Sequence, residues 1–380
     1  MSPDRRQVLQ GLAVGLVASA CASVSAVEKE VSGEIVLGQS APLSGALAKT
    51  TQQFNRGVLA WMKETNERGG VAGRSLRLQS LDDGGWVEQG EVNAKLLIAE
   101  HGAQALFGFM GASATLSCAR IAEGEGVPFV AAVTGSSAIR DASLGTTFLM
   151  RPSHHDEVHQ VVKHGATIGY QRIHLVFDYN AQGFSIRSSF EEACQLSDIL
   201  IHRSASMARL DDDVPQAVEK LTQSKSEAII LACSHAVSGA FIQGARAAGY
   251  GGAFYALSTV DASRLIESIT TSAVGVNFVQ TVPYPWSRAR RVTADFLLFA
   301  QRHAIEPDFA SAEGYLAARW LTHVAQQTGG SLQASSLRLA FQNAAPVELG
   351  GFRLALQSGS RTASRFIELA TINRELRFIR

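Results

Sequence analysis

The feature that most constrains this chain is an alternation of short apolar runs with amphipathic segments, which runs through one cycle and then starts again. Residues 34–38 read as a first strand that ends in a turn-rich loop from Gln39 to Gly45. A helix follows, with Phe54, Val58, Trp61 and Met62 on one face, and Gly69, Gly70 and Gly73 stop it. Residues 75–81 form a strand leading into Asp82-Asp83-Gly84-Gly85, residues 92–101 a helix with Leu96 and Leu97 inward, and residues 105–107 and 127–132 two buried strands. The cycle restarts with a helix over 155–169. Strands at 172–177, 199–203, 228–233 and 253–257 then alternate with helices at 184–196, 214–224 and 238–248. Asp212 or Asp213 starts the helix at 214–224 as its cap. Apolar strands separated by helices indicate a parallel sheet covered on both faces. The expected fold class is therefore α/β, in two consecutive units of similar size. The tail breaks the rhythm, with helices at 288–303 and 311–328 and strands at 352–356, 365–371 and 376–379.

In open α/β sheets, ligands bind beyond the carboxyl ends of the strands. The loops there carry Gln39 and Ser40, Gly111 to Thr115, Thr134 to Ser137, Gln182, Ser234 and His235, and Ser258 and Thr259. These residues offer hydroxyls, amides and glycine. That is hydrogen-bonding chemistry rather than acid–base chemistry.

Composition narrows the partners. The 380 residues are 46% hydrophobic and 18% charged, which suits a globular chain with a large core and not a disordered one. Thirty-four Lys and Arg balance 34 Asp and Glu, so no overall field attracts nucleic acid or an anionic membrane. There is no G-x-S-x-G elbow, no G-x-G-x-x-G after the first strand, no G-x-x-x-x-G-K-[ST] and no H-E-x-x-H. Hydrolase, dinucleotide and nucleoside-triphosphate chemistry lose their signatures, and neither a cofactor nor a metal is expected. One cluster needs weighing. His155 and His159 sit four apart and could share a helix face, as metal ligands do. The plainer reading of the same residues is a helix start, with Ser153 as cap, Asp156 completing a loose capping box, and Asp156 and Glu157 favouring the helix dipole. Asp211-Asp212-Asp213 reads as a solvated helix start.

The first 26 residues read as an export signal: Arg5-Arg6 followed by an apolar, uncharged stretch from Gly11 to Ala20, too short to span a bilayer. Two processing readings compete. Val24-Ser25-Ala26 suits ordinary signal peptidase, and Ala18-Ser19-Ala20-Cys21 loosely resembles a lipobox that would lipidate Cys21. The expected localisation is periplasmic. Cys118, Cys194 and Cys233 are an odd number in an oxidising compartment. Buried free thiols are expected, with one disulfide as the alternative.

Several stretches share a common likeness. They are Ile35 to Gly45, Asn66-Glu67-Arg68-Gly69-Gly70-Val71-Ala72-Gly73-Arg74, Leu81-Asp82-Asp83-Gly84, Thr134-Gly135, Glu313-Gly314-Tyr315-Leu316-Ala317-Ala318 and Leu349-Gly350-Gly351-Phe352-Arg353. In order and spacing, from about Gly33 to Arg380, they resemble the periplasmic solute-binding proteins of branched-chain amino acid (Leu/Ile/Val-binding) type ABC importers. The resemblance implies the type I periplasmic binding protein fold, two Rossmann-like lobes joined by three hinge crossovers. Crossovers are expected near residue 154, at Val282-Pro283-Tyr284-Pro285 and at Leu349-Gly350. Lobe 1 would then take residues 32–153 and 283–349, and lobe 2 residues 154–282 and 350–380.

The resemblance also implies a site. A ligand carboxylate would sit at the helix N-terminus after Gly111, met by the backbone of Ala112 and a hydroxyl of Ser113 or Thr115, with Thr134 and Gly135 in the next loop. Gln39 and Ser40 complete the lobe 1 set, and Gln182, His235 and Ser258 form the lobe 2 set. A carboxylate-binding serine of the family appears as Ala112, and Ser258 falls where amino-acid binders carry a Glu that pairs with the ligand ammonium. Leaving a buried ammonium unpaired is costly. The preferred ligand is therefore a carboxylate lacking the ammonium, or a polar amide. Function would follow from closure of the lobes on a small ligand and docking of a monomer on a membrane permease, without catalysis. A sensing domain sharing the fold is the alternative. An enzyme is disfavoured because Gln182, His235 and Ser258 make no recognisable triad.

Overall fold

Ile35–Ala41, the first strand (β1), is buried along its whole length. A strand can be so only when strands flank it and helices cover both its faces. The computed structural model describes residues 33–45, 48–356 and 360–380. The export-signal and lipidation readings, including Cys21, lie outside the described residues.

The first unit continues with α1 (Ala48–Glu67), β2 (Leu76–Asp82), α2 (Val87–Ala99), β3 (Ala105–Phe107), α3 (Ala112–Gly124), β4 (Phe129–Val130), α4 (Ser137–Asp141) and β5 (Thr147–Phe148). The second holds α5 (His154–Thr167), β6 (Arg172–Asp178), α6 (Ala181–Leu196), β7 (Ile201–Met207), α7 (Leu210–Thr222), β8 (Ala228–Ala232), α8 (His235–Ala247), β9 (Ala253–Ala256), α9 (Ala262–Ile269) and β10 (Val276–Gln280). Three helices follow, α10 (Arg291–Arg302), α11 (Phe309–Gln326) and α12 (Ala334–Gln342). The chain ends in β11 (Val347–Glu348), β12 (Arg353–Leu354), β13 (Glu368–Ile372) and β14 (Phe378–Ile379).

The first sheet runs β2-β1-β3-β4-β5, all parallel. The second runs β14-β13-β10-β9-β8-β6-β7, with β13 and β14 antiparallel at one edge. Read from β7 to β10, its parallel part has the same winding as the first sheet. The strand order therefore reverses between β1 and β3 in one unit and between β6 and β8 in the other, which is where α/β sheets open a ligand crevice. The α/β class expected from the sequence is the class observed.

Each sheet separates two cores. Phe54, Val58, Tyr315 and Trp320 pack with Ile35 and Phe107 on one face of the first sheet, and Leu97, Cys118 and Phe129 on the other. In the second sheet, Phe241 and Leu265 lie on one face, and Val161 and Phe190 on the other. The helices α1 and α11 touch backbone to backbone: a Cβ on Gly57 would lie 2.0 Å from the Ser311 carbonyl oxygen, and one on Gly314 2.0 Å from that of Phe54.

The chain passes between the sheets after β5, after β10 and before β13. The first and third passages run side by side, with Leu149 N–H donating to the Arg361 carbonyl at 2.7 Å and Ala363 N–H to that of Leu149 at 2.8 Å. The third falls later than Leu349-Gly350. Gly350 and Gly351, with φ of 66° and 93°, turn the β11–β12 hairpin back on itself. Phe352, Leu354 and Ala363 consequently pack in the core of the first sheet.

Other local differences have local causes. The strand expected at 199–203 is β7, a polar edge strand shifted toward Met207. The helix α7 starts at Leu210 with Arg209 as N-cap. Asp213 lies inside its first turn and accepts from the N–H groups of Ala208 and Arg209 at 2.6 and 2.7 Å. Cys118, Cys194 and Cys233 are buried free thiols.

Candidate ligand-binding site

In the first unit, α3 starts at Gly111, whose φ of 84° suits a glycine. Gly111 and Ser113 are exposed and Ala112 is half-buried. The first N–H groups of a helix have no partner within it, so this turn can hold an anion. Thr115 adds nothing there: it is fully buried and its hydroxyl donates to the Gly111 carbonyl. Gln39 and Ser40 are also fully buried. Gln39 donates to Asn55 Oδ1 at 2.9 Å and accepts from Ser80 Oγ at 2.8 Å. Ser40 donates to Asp83 Oδ2 at 2.8 Å and accepts from Asn93 at 3.1 Å. These two residues tie the end of β1 to its neighbours. Beside them, hydrogen bonds from Ser44 and from the N–H groups of Gly84 and Leu43 hold Asp82 down to about 2.

Thr134 and Gly135 are buried against the start of α5. His154 N–H donates to the Gly135 carbonyl at 2.7 Å, and a Cβ on Gly135 would lie 2.4 Å from the His154 ring. The Thr134 hydroxyl accepts from Ser136 N–H at 3.2 Å. Burial, with Arg140 and Arg151 adding, pushes His154 down to about 3, so its ring is neutral. Arg140 fastens three segments, donating to the Ser136 and Arg151 carbonyls, both at 2.7 Å, and to Thr362 Oγ1 at 3.1 Å. Arg151 in turn grips Glu313 of α11 with two bonds of 2.5 and 2.6 Å.

In the second unit, Ser258 is half-buried just beyond β9. Its N–H donates to Glu157 Oε2 at 2.9 Å and its hydroxyl to Oε1 at 2.6 Å. Glu157 is fully buried. Burial pushes its carboxyl up to about 7, against the pull of Ser258, Arg151 and Arg140. The sequence reading missed Glu157. Its signal was an acid on the inward stripe of α5, in line with Val158, Val161 and Val162. The capping box of Ser153 and Asp156 that starts this helix is present. Gln182 and His235 are half-buried in the first turns of α6 and α8, which Asn180 and Ser234 cap. Burial, with Arg264 adding and Asp261 opposing, lowers the His235 pKa.

The two units touch where the strand ends meet. Thr50 Oγ1, in the first turn of α1, donates to Asp261 Oδ2, the cap of α9, at 2.6 Å. Lys49 pairs with Glu267 beside it. Thr134 and Gly135 meet His154 and Arg140, and Ser258 meets Glu157, whereas Gln39 and Ser40 are occupied within the first unit. Two surface cavities lie along α5 and α6, the second reaching Ser137, Arg140 and Asp141 of α4, and none of the nine residues expected from the sequence lines them.

Two α/β units of identical winding, joined by three passages and facing each other through their strand ends, define a two-lobed binding protein. The chain belongs to the periplasmic binding protein family, whose model matches residues 34–374. Proteins of this family bind and do not catalyse, and the family is one of exported, periplasmic proteins. A Leu/Ile/Val-binding protein homologue from Brucella abortus is 22% identical over 285 residues, 70% of each chain. A possible leucine/isoleucine/valine-binding protein from Rhodopirellula baltica superposes with a TM-score of 0.81 at 23% identity, over 91% of this chain and 96% of that one. An ABC transporter substrate-binding protein from Desulfitobacterium hafniense, solved with Leu, gives 0.76 at 21% identity, over 91% and 99%. A solute-binding protein of an ABC transporter from R. palustris, solved with benzoate, gives 0.76 at 18% identity, over 91% and 95%. No helix among the described residues is long and apolar enough to cross a membrane.

Proposed function

We propose that the chain is the extracytoplasmic solute-binding protein of an ABC importer, which captures a small carboxylate or amino-acid-like ligand between its lobes and delivers it to a membrane permease as a monomer. The observation that carries this reading is the pairing of complementary ends. The first lobe presents the open N-terminal turn of α3 at Gly111–Ser113, which favours an anion. The second presents Ser258 backed by the buried acid Glu157. In this reading Ala112, Ser113, Thr134, Gly135, Gln182, His235 and Ser258 face the ligand, and Gln39 and Ser40 brace the loop behind them. Leu and benzoate, found in two structural neighbours, share a carboxylate and little else.

Glu157 changes the expectation about the ammonium. By the resemblance, Ser258 falls where amino-acid binders carry a Glu, and an acid from α5 stands directly behind it. A ligand ammonium would keep Glu157 ionised, and a ligand without one would leave it protonated, so amino acids return to the candidate list. Residues 1–26 act in this reading as a twin-arginine export signal, cleaved after Ala26 or lipidated at Cys21. Calorimetric titration of protein refolded free of ligand, against leucine, 4-methylpentanoate, benzoate and leucinamide, tests the ligand class. Saturable 1:1 binding of at least one carboxylate and none of leucinamide is expected. Binding of leucinamide as tightly as leucine would overturn the carboxylate reading.

A further inference from the structure

His155, His159 and Glu192 stand together on α5 and α6 of the second lobe, where Ser137, Arg140 and Asp141 of α4 line the same cavity as His155 and Glu192. Both histidines belong to α5, one turn apart, so they project from one face. Glu192 comes from α6, packed beside it. The rings of His155 and His159 have centroids 4.1 Å apart. Glu192 Oε2 lies 3.9 Å from His155 Nδ1 and 3.8 Å from His159 Nε2. All three atoms fall within 4.8 Å of one another.

Those spacings are too long for hydrogen bonds. They are close to what one shared ion needs, because metal–ligand bonds of about 2.0–2.1 Å put tetrahedral ligand atoms about 3.3 Å apart. Glu192 is exposed, so a change of its rotamer can close the remaining gap. His159 Nε2 adds an independent observation. It is shut off from solvent and has no hydrogen-bond partner among the described residues, and a buried polar atom left so is costly. His155 Nδ1 does have a partner, Ser189 Oγ at 3.2 Å, which a metal would displace. The cluster borders two surface cavities that share His155, so an ion has a route in and a water has room at the open position.

We propose that His155, His159 and Glu192 form a binding site for a divalent transition-metal ion, contrary to the expectation from the sequence that no metal is bound. Two imidazoles and one carboxylate suit Zn(II), Co(II), Ni(II) or Cu(II) and not Mg(II) or Ca(II), which require oxygen ligands. The ion would staple the first turns of α5 to the middle of α6. The site does not depend on the identity of the transported ligand.

The test is titration of tag-free, chelator-treated protein with Co(II), read by visible absorption, followed by competition with Zn(II). One Co(II) per chain with intense d–d bands, displaced by Zn(II), is expected. Glu192→Gln, a change at an exposed position that leaves folding intact, should weaken binding at least about tenfold, and His159→Ala should abolish the bands. Mg(II) should not compete. No saturable Co(II) binding, or equal binding by Glu192→Gln and His159→Ala proteins with wild-type circular dichroism, would overturn the proposal.

Discussion

Glu157 takes both hydrogen bonds that Ser258 can donate, from the backbone N–H at 2.9 Å and from the hydroxyl at 2.6 Å, across 101 positions of sequence. The carboxylate is sealed from solvent, and its pKa is pushed up to about 7 from the ordinary 4.5. Below pH 4.5 the group is protonated in the folded and unfolded chains alike. As the pH rises toward 7, the unfolded chain releases the proton and the folded chain holds it, so stability falls across this window by up to about 3 kcal/mol. Glu157→Gln removes this dependence. Urea unfolding of ligand-free protein from pH 4.5 to 8 should show the variant gaining on the wild type as the pH rises. A constant difference would mean that Glu157 titrates as it does in water.

His154 works in the opposite direction. Its ring is buried against Gly135 and its pKa is pushed down to about 3. Above pH 6.5 the ring is neutral in both states and its contribution is complete. As the pH falls from 6.5 toward 3, the unfolded chain takes up a proton that the folded one refuses, with an upper bound of roughly 5 kcal/mol. His154→Gln should flatten the acid limb of the stability curve, whatever its effect at neutral pH. An unchanged acid limb in calorimetric melts would show that His154 is protonated in the folded state.

The periodic parts of the molecule were legible in the sequence. Apolar runs such as Ile229-Ile230-Leu231 sit on both-face-buried strands, and the amphipathic stripe of Phe54, Val58 and Met62 is the buried face of α1. Elements with no room for a period escaped: the two-residue β5, the eight-residue α9 and the nine-residue α12. So did β10, whose Val276-Asn277-Phe278 run lies between the other strands and the antiparallel edge. The strand-end loops were located by topology alone, but the roles within them depend on contacts far apart in sequence. Nothing near Gln39 announces that Asn55, Ser80 and Gly108 surround it. Glu157 was hidden for the same reason, since its partner Ser258 lies beyond β9.

Gly57 and Gly314 are the contact through which the tail helix α11 docks on α1. A methyl group at either would meet a carbonyl oxygen of the facing helix at 2.0 Å, well inside contact distance, and the obstacle is backbone rather than a side chain that can turn away. Gly57→Ala and Gly314→Ala should each destabilise the protein by about 3 kcal/mol or more, even though alanine is the better helix former. Thermal melts of the two variants check this. A neutral or stabilising effect would mean that the helices sit farther apart than described.

The hydrogen bond from Thr50 to Asp261 crosses between the lobes, at 2.6 Å, beside the exposed ion pair of Lys49 and Glu267. If ligand capture works by closure, as proposed, this bond exists only in the closed state and shifts the hinge equilibrium toward it. Its acceptor is charged and half-buried, so its loss should cost about 1 to 2 kcal/mol. Thr50→Val keeps the shape of the side chain and removes the donor. Ligand affinity should drop about five- to thirtyfold, mostly through faster release, with the unfolding midpoint of ligand-free protein unchanged. Lys49→Met removes an exposed pair worth at most about 1 kcal/mol, so its effect should be small and should vanish at high salt. Stopped-flow release of bound ligand from the two variants separates these contributions. Wild-type release from the Thr50→Val protein would show that the bond is present in open and closed states alike.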